Sequence, residues 1–425
     1  MSEFDKQNSD SDSDSDEEEI PDSEKTPVTI VTGFLGSGKT TLVNYILQEQ
    51  NEWKICVVEN EFGEVSIDDD LVKENMKAKE DIIMMDNGCV CCSVRGDLVR
   101  TFGTLVSRRK DFDAIIIETT GLADPAPILF TFTSNALLSD HYRIDSIVCM
   151  VDSKHVEQHL DEVRDSGDIN EAENQIAFSD RIVLNKLDLV SKDELSDLKD
   201  RIKSMNSFAV LIETIRSRAP LDKILGLNSF SLENVVAVDP TIMDEDEPEE
   251  ETHDHTHEHG HCHDESCGHT HADESCTTEG CTDSHHEHSH SHGHEHHEED
   301  PAKKKKKKHN LSLVSSVGYT VKGLLDIPLF NQFMSELLAT NAANLYRSKG
   351  VLAFEGQGDV KFVFQGVHEQ VNFGPSEKPW AEGEERVSKL VFIGKNLEPE
   401  VFKEKIRACT IDPASAVVTM HKRKE

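Results

Sequence analysis

A glycine-rich segment near the start of the chain has the residue types and spacing of a phosphate-binding loop. Gly33-Phe-Leu-Gly-Ser-Gly-Lys39-Thr40 matches the pattern G-x-x-x-x-G-K-[ST] between a predicted strand and a predicted helix. Glycines let backbone N–H groups wrap a phosphate, and the helix N-terminus adds partial positive charge. We expect Lys39 to reach the β- and γ-phosphates and the Thr40 hydroxyl to bind Mg²⁺. The predicted nucleotide contacts here are Gly33, Phe34, Leu35, Gly36, Ser37, Gly38, Lys39, Thr40 and Thr41.

A second motif, Asn185-Lys186-Leu-Asp188, follows a short apolar run and matches the N-K-x-D pattern of guanine-specific GTPases. A carboxylate at Asp188 can accept hydrogen bonds from both the ring N–H and the exocyclic amine of guanine. Adenine offers no such donor pair and would leave that carboxylate unpaired, a penalty of roughly a few kcal/mol. The sequence therefore predicts GTP rather than ATP as the nucleotide.

Between these motifs, the apolar run Ala114–Ile117 ends in Glu118 and is followed by Gly121. A carboxylate at this strand end can hold the Mg²⁺ shell through water, and a backbone N–H near Gly121 can sense the γ-phosphate. The alternative is an ordinary structural turn after a strand. We expect Lys39, Thr40, Glu118 and Gly121 to form the hydrolytic centre, although no residue stands out as the one that positions the attacking water.

Three cysteines, Cys89, Cys91 and Cys92, lie within four residues in the stretch where nucleotide-dependent segments of P-loop proteins occur. Thiolates suit zinc and copper(I), and three of them leave a tetrahedral ion one ligand short. Glu59 and Glu64 are candidates for the missing ligand, and an incomplete site favours transfer over a structural role. Buried metal-free cysteines and a redox pair are the alternatives.

Most of the negative charge lies in two segments that have too few apolar residues to form a core. The net charge is −38, yet residues 1–24 hold eleven carboxylates and one lysine, and residues 241–300 hold twenty carboxylates without Lys or Arg. Both segments are predicted to be disordered. This acidity disfavours nucleic acid as a partner. Neither a secretory signal nor a membrane span is apparent, so we expect a cytosolic protein, with the nucleus as a second location.

Short β-branched runs alternate with helix-capable stretches from Pro27 onward, which predicts an α/β domain with a mainly parallel sheet. Three further predicted strands and a helix over 328–340 indicate a smaller α+β domain. The predicted organisation is an acidic tail (1–26), a P-loop domain (27–240), a His/Cys-rich acidic insert with a lysine run (241–309) and the α+β domain (310–425).

The insert holds sixteen of the twenty-two histidines, mostly as His-x-His, with Cys262, Cys267, Cys276 and Cys281. Many weak sites together raise the local metal concentration, which predicts metal buffering or loading. A solvated spacer with incidental affinity is the alternative.

The motifs together resemble the CobW family of P-loop GTPase metallochaperones. The resemblance rests on Gly33–Thr41, Glu59–Glu64, Cys89–Cys92, Glu118–Pro125 and Asn185–Asp188, and in the second domain on Phe364–Val367 and Lys378–Trp380. It implies Cys89, Cys91 and Cys92 as zinc ligands. It also implies nucleotide contacts from the turn at Cys92, Ser93 and Val94, besides those of the two nucleotide motifs.

The acidic tail and His-rich insert resemble a eukaryotic, zinc-delivering branch of the family, which implies a client zinc metalloprotein. In that branch the implied client is a type 1 methionine aminopeptidase, bound through a Pro-x-Leu-Val motif near the N-terminus. This chain departs from the motif, since Ile20-Pro21 is followed by Asp22-Ser23-Glu24.

The sequence therefore predicts a GTPase that couples GTP, Mg²⁺ and Zn²⁺ to metal delivery. Three other hypotheses remain: a zinc buffer with a structural GTP site, cobalt delivery to a corrinoid enzyme, and a small-molecule P-loop kinase. Asp188 argues against the kinase, because a kinase of that type would need to prefer ATP.

Overall fold

The computed structural model describes residues 20–50, 53–59, 82–84, 94–162, 170–230 and 313–422, without the side chains of 82–84, 94 and 95. All of these residues fall within a single compact unit. The expectations for the acidic tail up to residue 19 and for the His-rich insert lie outside the described residues.

The first half of the described chain forms a seven-stranded sheet in the order β3-β2-β4-β1-β5-β6-β7. Every strand pair is parallel, which confirms the predicted α/β fold. The central strands are almost wholly buried because helices cover both faces. The strands are β1 (Thr26–Gly33), β2 (Ile55–Glu59), β3 (Ile82–Met84), β4 (Ala114–Glu118), β5 (Tyr142–Asp152), β6 (Arg181–Asn185) and β7 (Val210–Glu213).

Two apolar clusters lie on opposite faces of this sheet. One contains Leu42, Ile46 and Val57, and the other contains Phe102, Phe132 and Tyr142, whose rings meet edge to face. The helices are α1 (Lys39–Glu49), α2 (Val94–Leu105), α3 (Ala126–Ser134), α4 (Ala136–His141), α5 (Val156–Leu160), α6 (Glu171–Phe178) and α7 (Lys192–Met205).

The second half forms a six-stranded antiparallel sheet in the order β11-β10-β9-β12-β8-β13, with two helices. This confirms the predicted α+β class. Asp326 caps the longer helix by accepting a hydrogen bond from the Leu329 N–H, and Pro328 occupies its first turn. The elements are β8 (Val314–Lys322), α8 (Ile327–Asn341), β9 (Leu345–Leu352), β10 (Phe362–Val367), β11 (Gln370–Pro375), β12 (Val387–Lys395), α9 (Pro399–Ala408) and β13 (Val417–His421).

The two sheets share a core. Val314, Tyr346 and Ile393 of the antiparallel half pack in the same apolar cluster as Phe178 and Leu184 of the parallel half. Contacts made by the antiparallel sheet can therefore bear directly on elements of the P-loop half. Among the helices in the described ranges, none combines the length and the apolar character that crossing a bilayer requires.

Candidate nucleotide site

The phosphate-binding loop connects β1 to α1, as its motif predicts. Gly38 has φ +107°, and a Cβ built there would lie 2.6 Å from both Asn185 Nδ2 and Ser217 Oγ. This backbone conformation and close approach require glycine. The helical spacing of Thr41–Gln50 predicts a helix that starts at Thr41. Helix α1 instead begins at Lys39, because the left-handed residue Gly38 is its N-cap. Thr41 itself is exposed within α1.

Lys39 folds back over its own loop. Its Nζ atom donates hydrogen bonds to the carbonyl oxygens of Gly33, at 2.9 Å, and Phe34, at 3.2 Å, and the residue is buried. The ammonium group thus stands at the loop that the sequence assigns to the phosphates. The neighbouring Phe34 ring stacks on His159, with centroids 4.0 Å apart.

Thr40, which is predicted to bind Mg²⁺, and Glu118, which is predicted to hold the Mg²⁺ shell through water, are brought together. The Thr40 hydroxyl donates to Glu118 Oε1 at 2.6 Å, although the residues are 78 positions apart. Glu59 ends the adjacent strand in register with Glu118, and both glutamates are buried. Mg²⁺ prefers such hard oxygen ligands, so the donor set fits the predicted ion.

The turn after β4 lies against the phosphate-binding loop. A Cβ built on Gly121 would lie 2.6 Å from the backbone nitrogen of Leu35, so no side chain fits there without displacing one of the two loops. The side chains of Leu35 and Leu122 are more than half exposed beside this contact. Gly121 is therefore placed where its backbone can respond to whatever the loop binds.

The base-recognition motif begins at the end of β6. Asn185 Nδ2 donates to the Ser37 carbonyl at 2.9 Å, which ties this strand end to the phosphate-binding loop. Asp188, the residue predicted to read the base, lies exposed on a short 3-10 helix, Leu187–Leu189. Lys186 is held by Asp152, with its Nζ 2.6 Å from the carboxylate.

Sequence reasoning missed two residues of this site. The Ser217 N–H donates to Asn185 Oδ1 at 2.9 Å, and its hydroxyl donates to the Gly38 carbonyl. Asp152 ends β5 and holds Lys186; burial acts to raise its pKa, but hydrogen bonds from Lys186 and His155 bring the pKa below its usual value. Asp152 is the last residue of β5 and Ser217 follows β7, and position at that edge of the sheet is the one signal that could have identified them.

The predicted metal ligands lie mostly outside the described residues, which exclude Glu64, Cys89, Cys91, Cys92 and Ser93. Val94 begins α2, and Glu59 is placed as described above. The parts of the chain that the structure does describe contain no cluster of three or more His, Cys, Asp or Glu side chains suited to a metal ion. The zinc site therefore stays a prediction.

Two family models match the chain. The model described as "CobW/HypB/UreG, nucleotide-binding domain" matches residues 27–213, and that of the "Cobalamin synthesis protein cobW C-terminal domain" matches residues 314–410. The two matches correspond to the parallel and antiparallel halves of the fold.

Full-length relatives are also similar. The zinc chaperone YjiA of Escherichia coli (strain K12) is 31% identical over 386 residues, which cover 90% of this chain and 96% of the relative. The zinc-regulated GTPase metalloprotein activator 1 of Schizosaccharomyces pombe is 30% identical over 392 residues, covering 88% and 83%. The crystal structure of Zn(II)-bound YjiA GTPase from E. coli superposes with a TM-score of 0.61 at 26% identity, covering 91% of this chain and 99% of that one.

Proposed function

This chain belongs to the CobW/HypB/UreG family of P-loop GTPases, and we propose that it is a zinc metallochaperone that couples GTP binding and hydrolysis to zinc delivery. Its relatives named zinc chaperone and zinc-regulated GTPase metalloprotein activator support the metal and the role. Asp188, exposed beyond Asn185, supports guanine as the base.

The observation that carries the proposal is the position of Glu59. It is in register with Glu118 on one side and with Met84, the last residue of β3, on the other. The strand that leads into the cysteine segment is thus separated from β4, which ends in Glu118, by β2 alone. Zinc binding and the γ-phosphate would therefore act at the same edge of the sheet, on strand ends with the end of β2 between them.

The proposed cycle uses this proximity. GTP bound by the loop and Mg²⁺ held by Thr40 and Glu118 would order the segment with Cys89, Cys91 and Cys92 so that it takes or presents zinc. Hydrolysis would release the contact at Gly121 and relax the segment. Mg²⁺ would supply charge neutralisation on the phosphates. Glu59 or Glu64 would complete the zinc coordination.

The remaining parts of the chain take supporting roles in this proposal. The boundaries 1–26, 27–240, 241–309 and 310–425 mark the tail, the GTPase domain, the His-rich insert and the second domain. The insert would load zinc onto the cysteine site. The cytosolic and nuclear location stays a prediction.

A type 1 methionine aminopeptidase is the client that we propose to test first. Residues Asp22–Glu24, which stand where the docking motif of the zinc-delivering branch has x-Leu-Val, form a short 3-10 helix leading into β1. The docking contact would accordingly differ from that motif. Capture of a client by the zinc- and GTP-loaded chain, followed by metal transfer, tests the assignment.

The proposed zinc site is tested by Cys91→Ser/Cys92→Ser. Serine hydroxyls are poor zinc ligands beside thiolates. We expect this variant to lose one tightly bound zinc per chain and to hydrolyse GTP at a rate that no longer responds to zinc. Equilibrium dialysis and phosphate release measure the two effects.

The matched control is Cys276→Ser/Cys281→Ser, which removes two cysteines of the His-rich insert and should keep both properties. A Cys91→Ser/Cys92→Ser variant with unchanged zinc dependence would contradict the proposed coupling.

A further inference from the structure

Helix α6 contacts the turn after β4 at one point and the antiparallel sheet at another. The helix is only eight residues long, and six of its residues are buried. Two sets of buried hydrogen bonds, one in its middle and one at its end, define these contacts.

The first set joins α6 to the Gly121 turn. Gln175, which is 1% exposed, donates from Nε2 to the carbonyl oxygens of Gly121 and Ala123, each at 3.0 Å. The amide has two N–H groups, so each carbonyl takes one. The adjacent Asn174 donates to the Asp124 carboxylate at 3.2 Å. The turn is therefore held from α6 by three hydrogen bonds.

The second set joins the end of α6 to β9. Arg347, which is fully buried, donates to the Phe178 carbonyl at 2.6 Å and to Asp180 Oδ1 at 2.8 Å. The other oxygen of Asp180 accepts from the Ile147 N–H, and the Tyr346 ring stacks on Phe178. A guanidinium that binds two acceptors in fixed geometry leaves this end of the helix little freedom.

Between these contacts the helix is stiff. Asn206 donates from one amide nitrogen to the carbonyl oxygens of Ile176, Ala177 and Ser179. A short buried helix with a hydrogen-bonded end moves as a body rather than by bending, because packed interiors do not deform continuously. A shift of the Gly121 turn must break the Gln175 bonds or move α6 against Arg347.

We propose that Gln175 is a positioning residue for GTP hydrolysis, and that the antiparallel sheet sets its position through Arg347 and α6. The inference rests on the GTPase step of the proposed function. Gln175 fixes the carbonyl of Gly121 and with it the peptide planes of the turn that faces the phosphate-binding loop. When a backbone N–H that stabilises a developing charge is displaced even slightly, the rate of the reaction falls strongly. A partner bound to the antiparallel sheet could change the rate by the same route, and nucleotide would change that partner's affinity in return.

The first test is Gln175→Met, which keeps the length of the side chain and removes both donors. In zinc-free assays of the full chain, we expect kcat for GTP to fall about tenfold or more. The affinity for GDP, which lacks the γ-phosphate, should stay within about twofold of wild type. A lower kcat with unchanged GDP affinity indicates a positioning role, because general damage to the site would weaken GDP binding as well.

The second test is a double-mutant cycle on kcat with Arg347→Lys, which keeps the charge but loses the two-point geometry. Arg347→Lys alone should lower kcat about threefold to tenfold, and should have no further effect in the Gln175→Met background. Tyr346→Leu, which removes the stacking on Phe178, is the second choice if Arg347→Lys does not fold. Tyr319→Phe is the control, because it loses a partly buried hydrogen bond of the same sheet, to the Pro399 carbonyl, without touching α6.

Unchanged kcat in Gln175→Met, parallel loss of GDP affinity, or additive effects in the cycle would each overturn the inference. Zinc is absent from these assays. A chain that hydrolyses GTP but delivers no zinc would therefore sink the proposed function and leave this inference standing.

Discussion

At the scale of single residues, the phosphate-binding loop and the base-recognition motif are one structure. Gly38, Asn185 and Ser217 contact one another. The glycine that allows the turn of the phosphate-binding loop therefore also leaves room for Asn185, which ties the end of β6 to that loop. The sequence predicted the first two residues, because each motif carries its own spacing. Ser217 and Gln175 escaped prediction because their roles arise only from contacts across 32 and 54 positions.

The base specificity assigned to Asp188 gives a prediction at this scale. Asp188→Asn replaces a carboxylate, which only accepts hydrogen bonds, by an amide that can also donate. The variant should therefore bind guanine nucleotides less tightly and xanthine nucleotides more tightly, because xanthine has an oxygen where guanine has the exocyclic amine. We expect GTP affinity to fall by about 2–3 kcal/mol. Competition with a fluorescent nucleotide measures this loss of GTP affinity.

The control for this change is Asp193→Asn, an exposed carboxylate in the first turn of α7. It should leave nucleotide preference unchanged. A variant at Asp188 that still prefers GTP to xanthosine triphosphate would disprove the assignment.

At the scale of elements, strands buried on both faces were predicted well, and strands that depend on tertiary contacts were not. The apolar run Ser146–Val151 predicts a strand that starts at Ser146, yet β5 begins at Tyr142. Asp145 interrupts the apolar pattern but is fully buried, because its carboxylate accepts from the backbone N–H groups of Leu227 and Asn228. No local sequence pattern identifies these hydrogen-bond partners.

The strands predicted for the second half, 351–354, 361–365 and 389–393, leave out the edge strand β11 for a related reason. Gln370–Pro375 is short, polar and partly exposed, and it is a strand because it pairs with β10 through six residues. Pairing of this kind is set by the neighbouring strand rather than by propensity. The elements that position the nucleotide, by contrast, were predictable since they combine apolar runs with loop motifs.

At the scale of the whole molecule, the contact between the two sheets places charge in a buried interface. Lys349 lies beside Arg347, Arg181 and Asp180, with its Nζ 3.7 Å from the Asp180 carboxylate and bonded to the Ser229 carbonyl. Burial, and then the charge of Arg347, lower the pKa of Lys349 to about 8, although Asp180 opposes the shift.

This shift predicts how stability depends on pH. Between about pH 8 and the ordinary lysine value of 10.5, the folded chain has lost the Lys349 proton while the unfolded chain retains it. Stability from this group therefore rises with pH across that window, by up to about 3 kcal/mol. Urea unfolding at intervals from pH 8 to 10.5 should give this rise in wild type and a smaller one in Lys349→Met.

The matched control is Lys223→Met, which removes an exposed lysine. The stability of this variant should rise with pH as much as that of wild type. An equal rise in wild type and Lys349→Met would mean that Lys349 titrates at its ordinary pKa.

The central claim is that the nucleotide state sets the zinc affinity of the cysteine segment. It is tested most directly by measuring zinc binding to the full chain loaded with a non-hydrolysable GTP analogue and with GDP, by competition with a chelator. A ligand shifts an equilibrium only by its different affinities for the two states. We expect zinc affinities that differ by about tenfold or more between the two loaded forms, and equal affinities would contradict this coupling.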